Sequence, residues 1–374
     1  MLRHKRIYAA LLAAVFVGFA GPAIGQIMSG QPTEIEMRPI YLHWKIDDTG
    51  KVTKINQFVI PISGTIPLKD RLEARFFFGS TSNTLTGATG SDMSLSGLSD
   101  ARIQLNKTTA DDHLLLSLGF NLPTGKKKLN LTEELPVTVA LSQNYLTFPV
   151  RRLGEGFDVN ALVGVATASG RSRFGGSLMY QINGSYTAFE NAGDYKPGNQ
   201  FSLTAGYDTR SDKTLFGFSV IYSLLGTDKL ADNDIFKMGN QLDIGARLAF
   251  TSEQQTLAFD GRYLIRGRTT TYNSDATIYE QLKVYGNEFA ASGSLAWKVS
   301  PDWQIVPAVD LRLIAANEQN FGNSNIFGFG GDIVRKMGSN VDCGIGAKYY
   351  TGSADSGGIN LSGYQMSLGL TVRL

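Results

Sequence analysis

Apolar and polar residues alternate along most of the chain. Between residues 241 and 250 nearly every second side chain is apolar, and the intervening positions include Gln241, Asp243 and Arg247. The same period of two recurs at 101–106, 158–165, 216–222, 288–298, 304–313 and 364–374. Such a period places apolar side chains on one face of a β-strand and polar ones on the other. The pattern therefore predicts an all-β chain.

The segments between the predicted strands fall into two length classes, and no clean internal repeat is visible. Short turns at 69–70, 108–112, 170–171, 210–213, 252–255 and 300–302 alternate with longer polar loops at 80–96, 123–156, 188–200, 226–237, 269–286 and 317–325. Outer-membrane barrels show this asymmetry, with turns on the periplasmic side and loops outside. We expect a transmembrane antiparallel up-and-down β-barrel of about 14 strands, with roughly 12 to 16 allowed because strand ends are uncertain.

A soluble β-sandwich is the main alternative, because its strands also alternate apolar and polar residues. Two features favour the barrel. Small residues share the polar face with charges, and aromatic residues gather near strand ends, as in the girdles at the two membrane–water interfaces. The aromatic residues concerned are Tyr207, Tyr222, Phe250, Trp297, Trp303, Tyr349 and Tyr350.

The amino terminus has the pattern of an export signal. A basic start at residues 3–6 precedes an apolar stretch at 7–20, and Ala23 and Gly25 suit cleavage before residue 26. A retained anchor is the alternative, but an apolar run of about 14 residues is shorter than the ~20 that a spanning helix needs. We predict export through the periplasm to the outer membrane, with a signal peptide at 1–25, a flexible periplasmic segment at 26–39 and the barrel at 40–374.

Composition narrows the classes of function. Charged residues make up 18% of the chain, the formal net charge is +2, and Cys343 is the single cysteine. One cysteine cannot build a disulfide scaffold or a cysteine-rich metal site. Nucleic-acid binders carry a strong basic excess, which this chain lacks. We therefore expect no cofactor, no metal and no nucleic-acid partner.

Many charged residues fall on the polar face of the predicted strands. An Arg or Lys facing lipid near mid-bilayer would cost roughly 2–4 kcal/mol, so these residues should face the lumen. They could line a solute path and set its selectivity, or opposite charges could cross-link strands and fill the lumen. Because both signs occur, strong anion or cation selectivity is not expected. The predicted lumen residues are Arg71, Glu73, Arg75, Arg102, Asp158, Asp243, Arg247, Asp260, Arg262, Glu288, Lys298, Asp310, Arg312, Asp332, Lys348 and Arg373.

One stretch carries a more specific signature. Gly97 and Asp100 begin a strand, and the next strand ends in Leu122, Pro123, Thr124 and Gly125. This arrangement resembles the outer-membrane β-barrel family of the MetA pathway of phenol degradation. The resemblance implies a transport role with an aromatic or otherwise hydrophobic solute. Pro123 has no N–H to donate to a neighbouring strand, and Gly125 permits a sharp turn after the strand. The residues themselves therefore favour a strand terminator over a binding site.

Candidate catalytic chemistry is sparse. His113 lies near Asp111 and Asp112, but no recognisable nucleophile motif accompanies it. We expect no catalytic residues and no enzymatic activity, and a lipid-modifying enzyme is the least favoured reading. The lysines at 126–128 form a basic cluster that could contact lipopolysaccharide phosphates or could simply be a solvated loop face.

These observations predict a monomeric outer-membrane channel that lets small solutes cross passively. The alternative is a structural barrel with a blocked lumen, whose loops bind surface polysaccharide. The expected partners are outer-membrane lipids and lipopolysaccharide, the barrel-assembly machinery during insertion, and a small-molecule solute.

Overall fold

A computed structural model describes residues 33–69, 71–87, 90–109 and 111–374. The predicted signal peptide lies outside these residues. The strands are β1 (Glu34–Met37), β2 (Ile40–Asp48), β3 (Lys51–Lys69), β4 (Leu72–Thr86), β5 (Asp92–Leu98), β6 (Ala101–Thr108), β7 (Leu114–Leu122), β8 (Asp158–Ser169), β9 (Ser172–Ile182), β10 (Tyr186–Thr187), β11 (Asp194–Lys196), β12 (Gln200–Arg210), β13 (Thr214–Leu225), β14 (Asp228–Leu230), β15 (Asn233–Lys237), β16 (Gln241–Thr251), β17 (Gln255–Arg266), β18 (Thr269–Tyr272), β19 (Ile278–Leu282), β20 (Glu288–Lys298), β21 (Trp303–Ile314), β22 (Ser324–Met337), β23 (Val341–Ala354) and β24 (Ile359–Arg373). One helix, α1 (Glu134–Leu141), and a 3-10 turn (Asp355–Gly357) complete the elements described. No helix among the described residues is long and apolar enough to cross a membrane.

The main sheet is antiparallel and closes on itself. Strands β1 and β2 pair with β24 on one side and with β3 on the other, which joins the two ends of the sheet. Since β1 and β2 are consecutive parts of one barrel strand, and β5 and β6 both pair with β4, the described residues form a barrel of 16 strands. The prediction of an all-β antiparallel barrel is confirmed; the barrel has 16 strands and not about 14, at the upper limit of the predicted range of 12 to 16.

Two segments differ from the prediction, and only the second adds a barrel strand, because β5 and β6 together pair with β4 as one strand. Residues 80–96, predicted as a loop, contain the ends of β4 and β5, which form a hairpin. Residues 40–47, considered only as an additional strand or a lead-in, belong to the strand that closes the barrel. That strand begins at Glu34, so part of the predicted flexible segment 26–39 is paired in the sheet.

The two faces of the barrel differ in polarity. Large apolar side chains on the outer face are exposed, for example Val165, Phe329 and Leu368 at 54 to 60%. Lipid would cover such a belt. Of the aromatic residues predicted near strand ends, six lie on the outer face, whereas Tyr350 points inward and stacks on Trp44 at 5.3 Å between ring centroids.

The long connection between β7 and β8, residues 123–157 and here called the inward loop, folds into the lumen. It includes α1, which packs against β4 and β5. Val137, Leu146 and Phe148 of this loop are no more than 5% exposed. They pack against an apolar part of the inner wall formed by Ile40, Leu42, Trp44, Ile55, Val59, Leu85, Leu95, Ile314, Ile326, Ala354 and Leu361.

A second sheet stands on the same end of the barrel. Strands β10, β11, β14, β15, β18 and β19 come from the three connections at 183–199, 226–240 and 267–287 and form a six-stranded sheet, here called the rim sheet. Leu129 of the inward loop joins it through a bridge to Phe189, with backbone bonds of 3.0 and 3.1 Å. The inward loop and the rim sheet are therefore one connected structure.

Four barrel strands in the second half of the chain are directly preceded by a Gly–Asn pair, at 198–199, 239–240, 286–287 and 322–323. Each Asn side-chain oxygen accepts a hydrogen bond of 2.7 to 3.3 Å from a backbone N–H at or just beyond the end of the preceding barrel strand. At three of them the Asn amide also donates to an outward tyrosine hydroxyl, at 3.1 to 3.4 Å.

We expect the substitution Gly286→Ala to destabilise the barrel by about 1–3 kcal/mol, because a Cβ at Gly286 would overlap the carbonyl oxygen of Ala315. The matched control is Gly261→Ala in β17, where an added Cβ meets nothing within 4 Å. Urea unfolding in detergent micelles measures both variants. Equal stability of the two would show that the Gly–Asn pairs do not need glycine.

Candidate functional site

The structure places fifteen of the sixteen predicted lumen residues on the inner face of the wall. Strand registers put them on the same face as Gln57 and Arg312, which contact the inward loop. Arg71 is the exception, because it lies in the turn after β3 with a φ of 63° and binds Asp112 across to the next turn at 3.0 Å. Whether these residues set selectivity stays a prediction. The inward-facing residues are Glu73, Arg75, Arg102, Asp158, Asp243, Arg247, Asp260, Arg262, Glu288, Lys298, Asp310, Arg312, Asp332, Lys348 and Arg373.

Most of these charges are paired with their neighbours on the wall. Lys348 reaches across β22 to Asp310 at 2.5 Å, and two glycines on the inner face of β22, at 328 and 330, lie between them in the strand register. Most of the ion pairs lie on β16 to β24 and the connection before β2. They are Arg262–Asp243, Arg247–Asp260, Arg266–Glu288, Arg312–Glu288, Lys348–Asp310, Arg38–Asp332, Arg373–Glu34 and Arg373–Asp342, with Arg75–Glu73 and Arg173–Asp208 on the other strands.

One ion cluster carries more positive than negative charge. Glu288 is 4% exposed and accepts bonds from Arg312 at 2.7 Å and Arg266 at 2.9 Å. Arg151 of the inward loop lies close enough to interact electrostatically with all three. Burial, followed by the neighbouring Arg312, lowers the pKa of Arg151 from its usual value. Three guanidinium groups therefore share one carboxylate at this position. We call Arg151, Arg266, Arg312 and Glu288 the arginine cluster.

The residues of the family motif form the neck of the inward loop. Asp100 is 6% exposed, and its carboxylate accepts hydrogen bonds from the backbone N–H of Gly125 at 2.8 Å and of Glu155 at 2.7 Å. Asn121 donates to the same carboxylate at 3.2 Å. Asp100 thus ties together the two ends of the inward loop, one just after β7 and the other just before β8.

The rest of the motif tightens this neck. Thr124 donates to the carbonyl of Ser99 at 3.1 Å and accepts from the N–H of Ala101 at 2.8 Å. A Cβ at Gly125 would overlap the carbonyl oxygen of Leu153, and one at Gly97 would lie 3.1 Å from the Leu153 side chain. Pro123 directly follows the last residue of β7, Leu122. The contacts are those of a structural clasp, as the turn chemistry indicates.

A cavity of about 820 Å³ lies between the inward loop and the rim sheet. Its lining is mainly aromatic and aliphatic, with several amides and three cationic residues, and among the described lining residues there is no carboxylate. We call it the outer cavity. It is lined by Lys126, Lys127, Leu129, Leu135, Thr138, Val139, Ser142, Gln143, Asn144, Tyr145, Arg152, Leu153, Gly154, Tyr186, Ala188, Phe189, Ala192, Tyr195, Leu230, Ile235, Val284, Tyr285, Asn317, Gln319 and Phe321.

Tyrosines supply part of the cavity's polar surface. Tyr186 is 8% exposed, and burial raises the pKa of its hydroxyl to about 12. It contacts Tyr195 edge to face, with 5.7 Å between ring centroids. Burial, together with the hydrogen bond that the Tyr195 hydroxyl donates to Asp228, also raises the pKa of Tyr195. Both phenols are therefore protonated at neutral pH and able to donate hydrogen bonds.

The floor of the outer cavity touches the arginine cluster. Tyr145 lines the cavity and stacks on Phe321 at 5.5 Å. The carbonyl of the next residue, Leu146, accepts bonds from Arg151 at 3.0 Å and Arg312 at 3.4 Å. The backbone at Tyr145 and Leu146 thus separates the mainly apolar cavity from a positively charged part of the lumen.

The cavity and the inward loop are features that sequence reasoning missed. Residues 123–156 were predicted as a long polar loop, yet the segment 145–153 supplies Leu146, Phe148 and Val150 to the lumen core. Gln57, which is fully buried, holds this segment through bonds to the Val150 carbonyl at 2.6 Å and N–H at 3.3 Å. The apolar side chains of 145–153 were the available signal.

Of the sparse catalytic candidates, His113 lies beside Asp111, whose carboxylate accepts a bond from the His113 backbone N–H at 3.4 Å. His113 is exposed in the turn between β6 and β7, and its ring contacts the carbonyl of Ala166 at 2.8 Å. Within the described ranges, no group of three or more His, Cys, Asp or Glu residues is placed to hold a metal ion.

No protein-family model matches the chain, and no curated protein matches it in sequence. The resemblance to the MetA-pathway family therefore stays a prediction. Among solved structures, OccK7 (OpdD) of Pseudomonas aeruginosa matches with a TM-score of 0.46 at 9% identity, over 92% of this chain and 100% of that one. The outer membrane protein OprD of the same organism gives 0.45 at 9% over 92% and 96%. The outer membrane channel DcaP of Acinetobacter baumannii gives 0.43 at 11% over 91% and 96%.

Proposed function

We propose that the chain is an outer-membrane channel through which small solutes with an apolar or aromatic part pass without energy input. The observation that carries this proposal is the outer cavity, which is lined by aromatic and aliphatic side chains and lies beside a loop folded into the lumen. The apolar belt on the outer face supports insertion in a bilayer. The cavity supports an apolar solute, because such sites are mostly apolar with a few polar groups.

The inward loop defines the route. It packs against the inner wall of β2 to β5 and β21 to β24. The opposite inner wall, from β8 to β13, carries mostly small or uncharged side chains, including Ser177, Ser202 and Thr204. Solutes would leave the outer cavity past Tyr145 and descend between the inward loop and this wall, which also carries Asp158 and the Arg173–Asp208 ion pair.

Conductance of the purified protein in planar bilayers tests the proposal. We expect stable channel currents. We also expect liposomes containing the protein to swell in phenyl glucoside faster than its larger size, compared with glucose, would predict. Bilayers without protein provide the baseline. Absence of both current and swelling would overturn the proposal.

The variant Gln57→Ala should give a larger and noisier current. The Gln57 side chain holds Val150 to the wall by two hydrogen bonds. Removing it leaves the buried N–H and carbonyl of Val150 without these partners, which costs about 1–3 kcal/mol of stability in the packed position of the loop. Gln104→Ala is the matched control, because this inner-face glutamine bonds only to wall residues Asn106 and Ser117. An unchanged current in Gln57→Ala would contradict a route that passes beside the inward loop.

A structural barrel is the second candidate, favoured by the extent to which the inward loop and the ion pairs fill the lumen. Under this alternative neither the unaltered protein nor Gln57→Ala would conduct. The same bilayer measurement therefore separates the two candidates.

A further inference from the structure

The outer cavity and the arginine cluster beneath it are different in charge from the rest of the lumen. Elsewhere on the wall most cations face a carboxylate at 2.5 to 3.6 Å. In the cavity the charged lining residues are Lys126, Lys127 and Arg152, and the carboxylates that pair with two of them, Glu134 and Glu155, lie outside the lining. Among the described residues of this region, Lys127 in the cavity lining and Arg151 in the cluster below it are the cations that no ion pair includes.

Two hydroxyls in the cavity are available to a ligand. Tyr145 and Tyr186 are 7% and 8% exposed, and neither side chain has a hydrogen-bond partner within the described part of the protein. A tyrosine hydroxyl that reaches the cavity can donate a hydrogen bond to a ligand acceptor. The remaining surface near them is apolar, including Leu129, Phe189 and Phe321.

We propose that the solute class is the amphipathic organic anion, with an aromatic or alkyl body and one anionic group. The apolar body would lie among Phe189, Phe321 and the cavity tyrosines. The anionic group would be attracted by Lys127 at the cavity, then by Arg151 and Arg312 below it. This inference rests on the proposed channel function and specifies its substrate.

The arrangement explains how a lumen with both signs of charge can still discriminate. Paired charges largely cancel at a distance, so the unpaired surplus determines the sign that a solute meets. Removing a positive charge near the path should reduce the preference for anions without closing the path. The guanidinium of Arg151 is suited to this test, because the Glu288 ion pairs do not include it.

Bi-ionic reversal potentials with benzenesulfonate and phenyltrimethylammonium provide the test, because both probes share a phenyl ring and keep their charge at every working pH. We expect the unaltered channel to favour benzenesulfonate by about tenfold. Arg151→Gln and Lys127→Gln should each reduce this ratio by about fivefold or less, whereas Arg151→Lys should keep it. Arg335→Gln is the matched control, because Arg335 lies on the outer face over the ring of Trp303 at 5.2 Å.

The outcomes separate the two proposals. If the unaltered channel conducts and passes phenyl glucoside but does not favour benzenesulfonate over phenyltrimethylammonium, the solute class is wrong and the channel function stands. If Arg151→Gln and Arg335→Gln change the ratio equally, the arginine cluster does not select the anion. If nothing passes in the unaltered protein, the channel function itself fails.

Discussion

Replacing Glu288 with glutamine should destabilise the barrel by about 3–5 kcal/mol, the largest effect that we expect from a single charge. The substitution keeps the shape of the side chain but leaves Arg266 and Arg312, both no more than 14% exposed, without their carboxylate. Arg151 would add a third unbalanced cation. Urea unfolding of the protein in detergent micelles measures the change in the free energy of unfolding.

The control for this prediction is Asp234→Asn in the rim sheet. Asp234 pairs with Lys229 at 3.5 Å, and the two side chains are 33% and 46% exposed. Exposed pairs contribute about 0–1 kcal/mol because water screens them. If Glu288→Gln were no more destabilising than Asp234→Asn, the cluster would be solvated and its charges would not depend on one another.

Replacing Asp100 with alanine should release the inward loop from the lumen. Its carboxylate holds Gly125 and Glu155, and hydrogen bonds to a charged acceptor are worth about 1.5–3 kcal/mol each. Without them the neck of the loop opens, and the apolar residues behind it lose their cover. We expect a several-fold higher single-channel conductance and rapid trypsin cleavage within Lys126 to Lys128.

Asp92→Ala is the matched control for Asp100→Ala. Asp92 lies at the start of β5 and accepts a bond from Thr86 at 2.6 Å on the exposed hairpin. The same charge is removed, but no contact of the inward loop is lost. Wild-type conductance and resistance to trypsin in Asp100→Ala would show that the buried side chains alone hold the loop.

The outward and inward faces of the strands could be predicted from the sequence, because alternate residues of one strand face lipid and lumen and differ in polarity accordingly. In β16, Leu242 and Ile244 face outward while Asp243 faces inward, and alternation alone gives this result. The period of two is set by backbone geometry and does not depend on which strand lies beside which.

The number of strands and the position of the inward loop could not be predicted from alternation of apolar and polar residues. In β3, Ile55 and Val59 face inward and Phe58 faces outward, so both faces are apolar and the alternation disappears. The cause is the inward loop, which supplies an apolar neighbour where lumen water was expected. A pattern that records only local polarity cannot show that a distant segment has taken the place of water.

The outer cavity was outside the reach of sequence reasoning for a related reason. Its lining comes from five separate connections: 123–157, the three that form the rim sheet, and the connection between β21 and β22. Tyr145, Tyr186 and Tyr285 are far apart in sequence and meet only because the barrel places the ends of their strands side by side. Part of the clasp, in contrast, is formed within the short motif, because Asp100 accepts a bond from the N–H of Gly125.

The Gly–Asn pairs have a consequence for how this protein could change. Each pair fixes the base of one connection through a bond to the backbone at the end of the preceding barrel strand, so the register of the wall at that point does not depend on the connection above it. Segments from other barrels could be grafted between two such bases without altering the register of the wall. The family of variants reachable in this way would keep one cylinder while presenting many different surfaces to the environment.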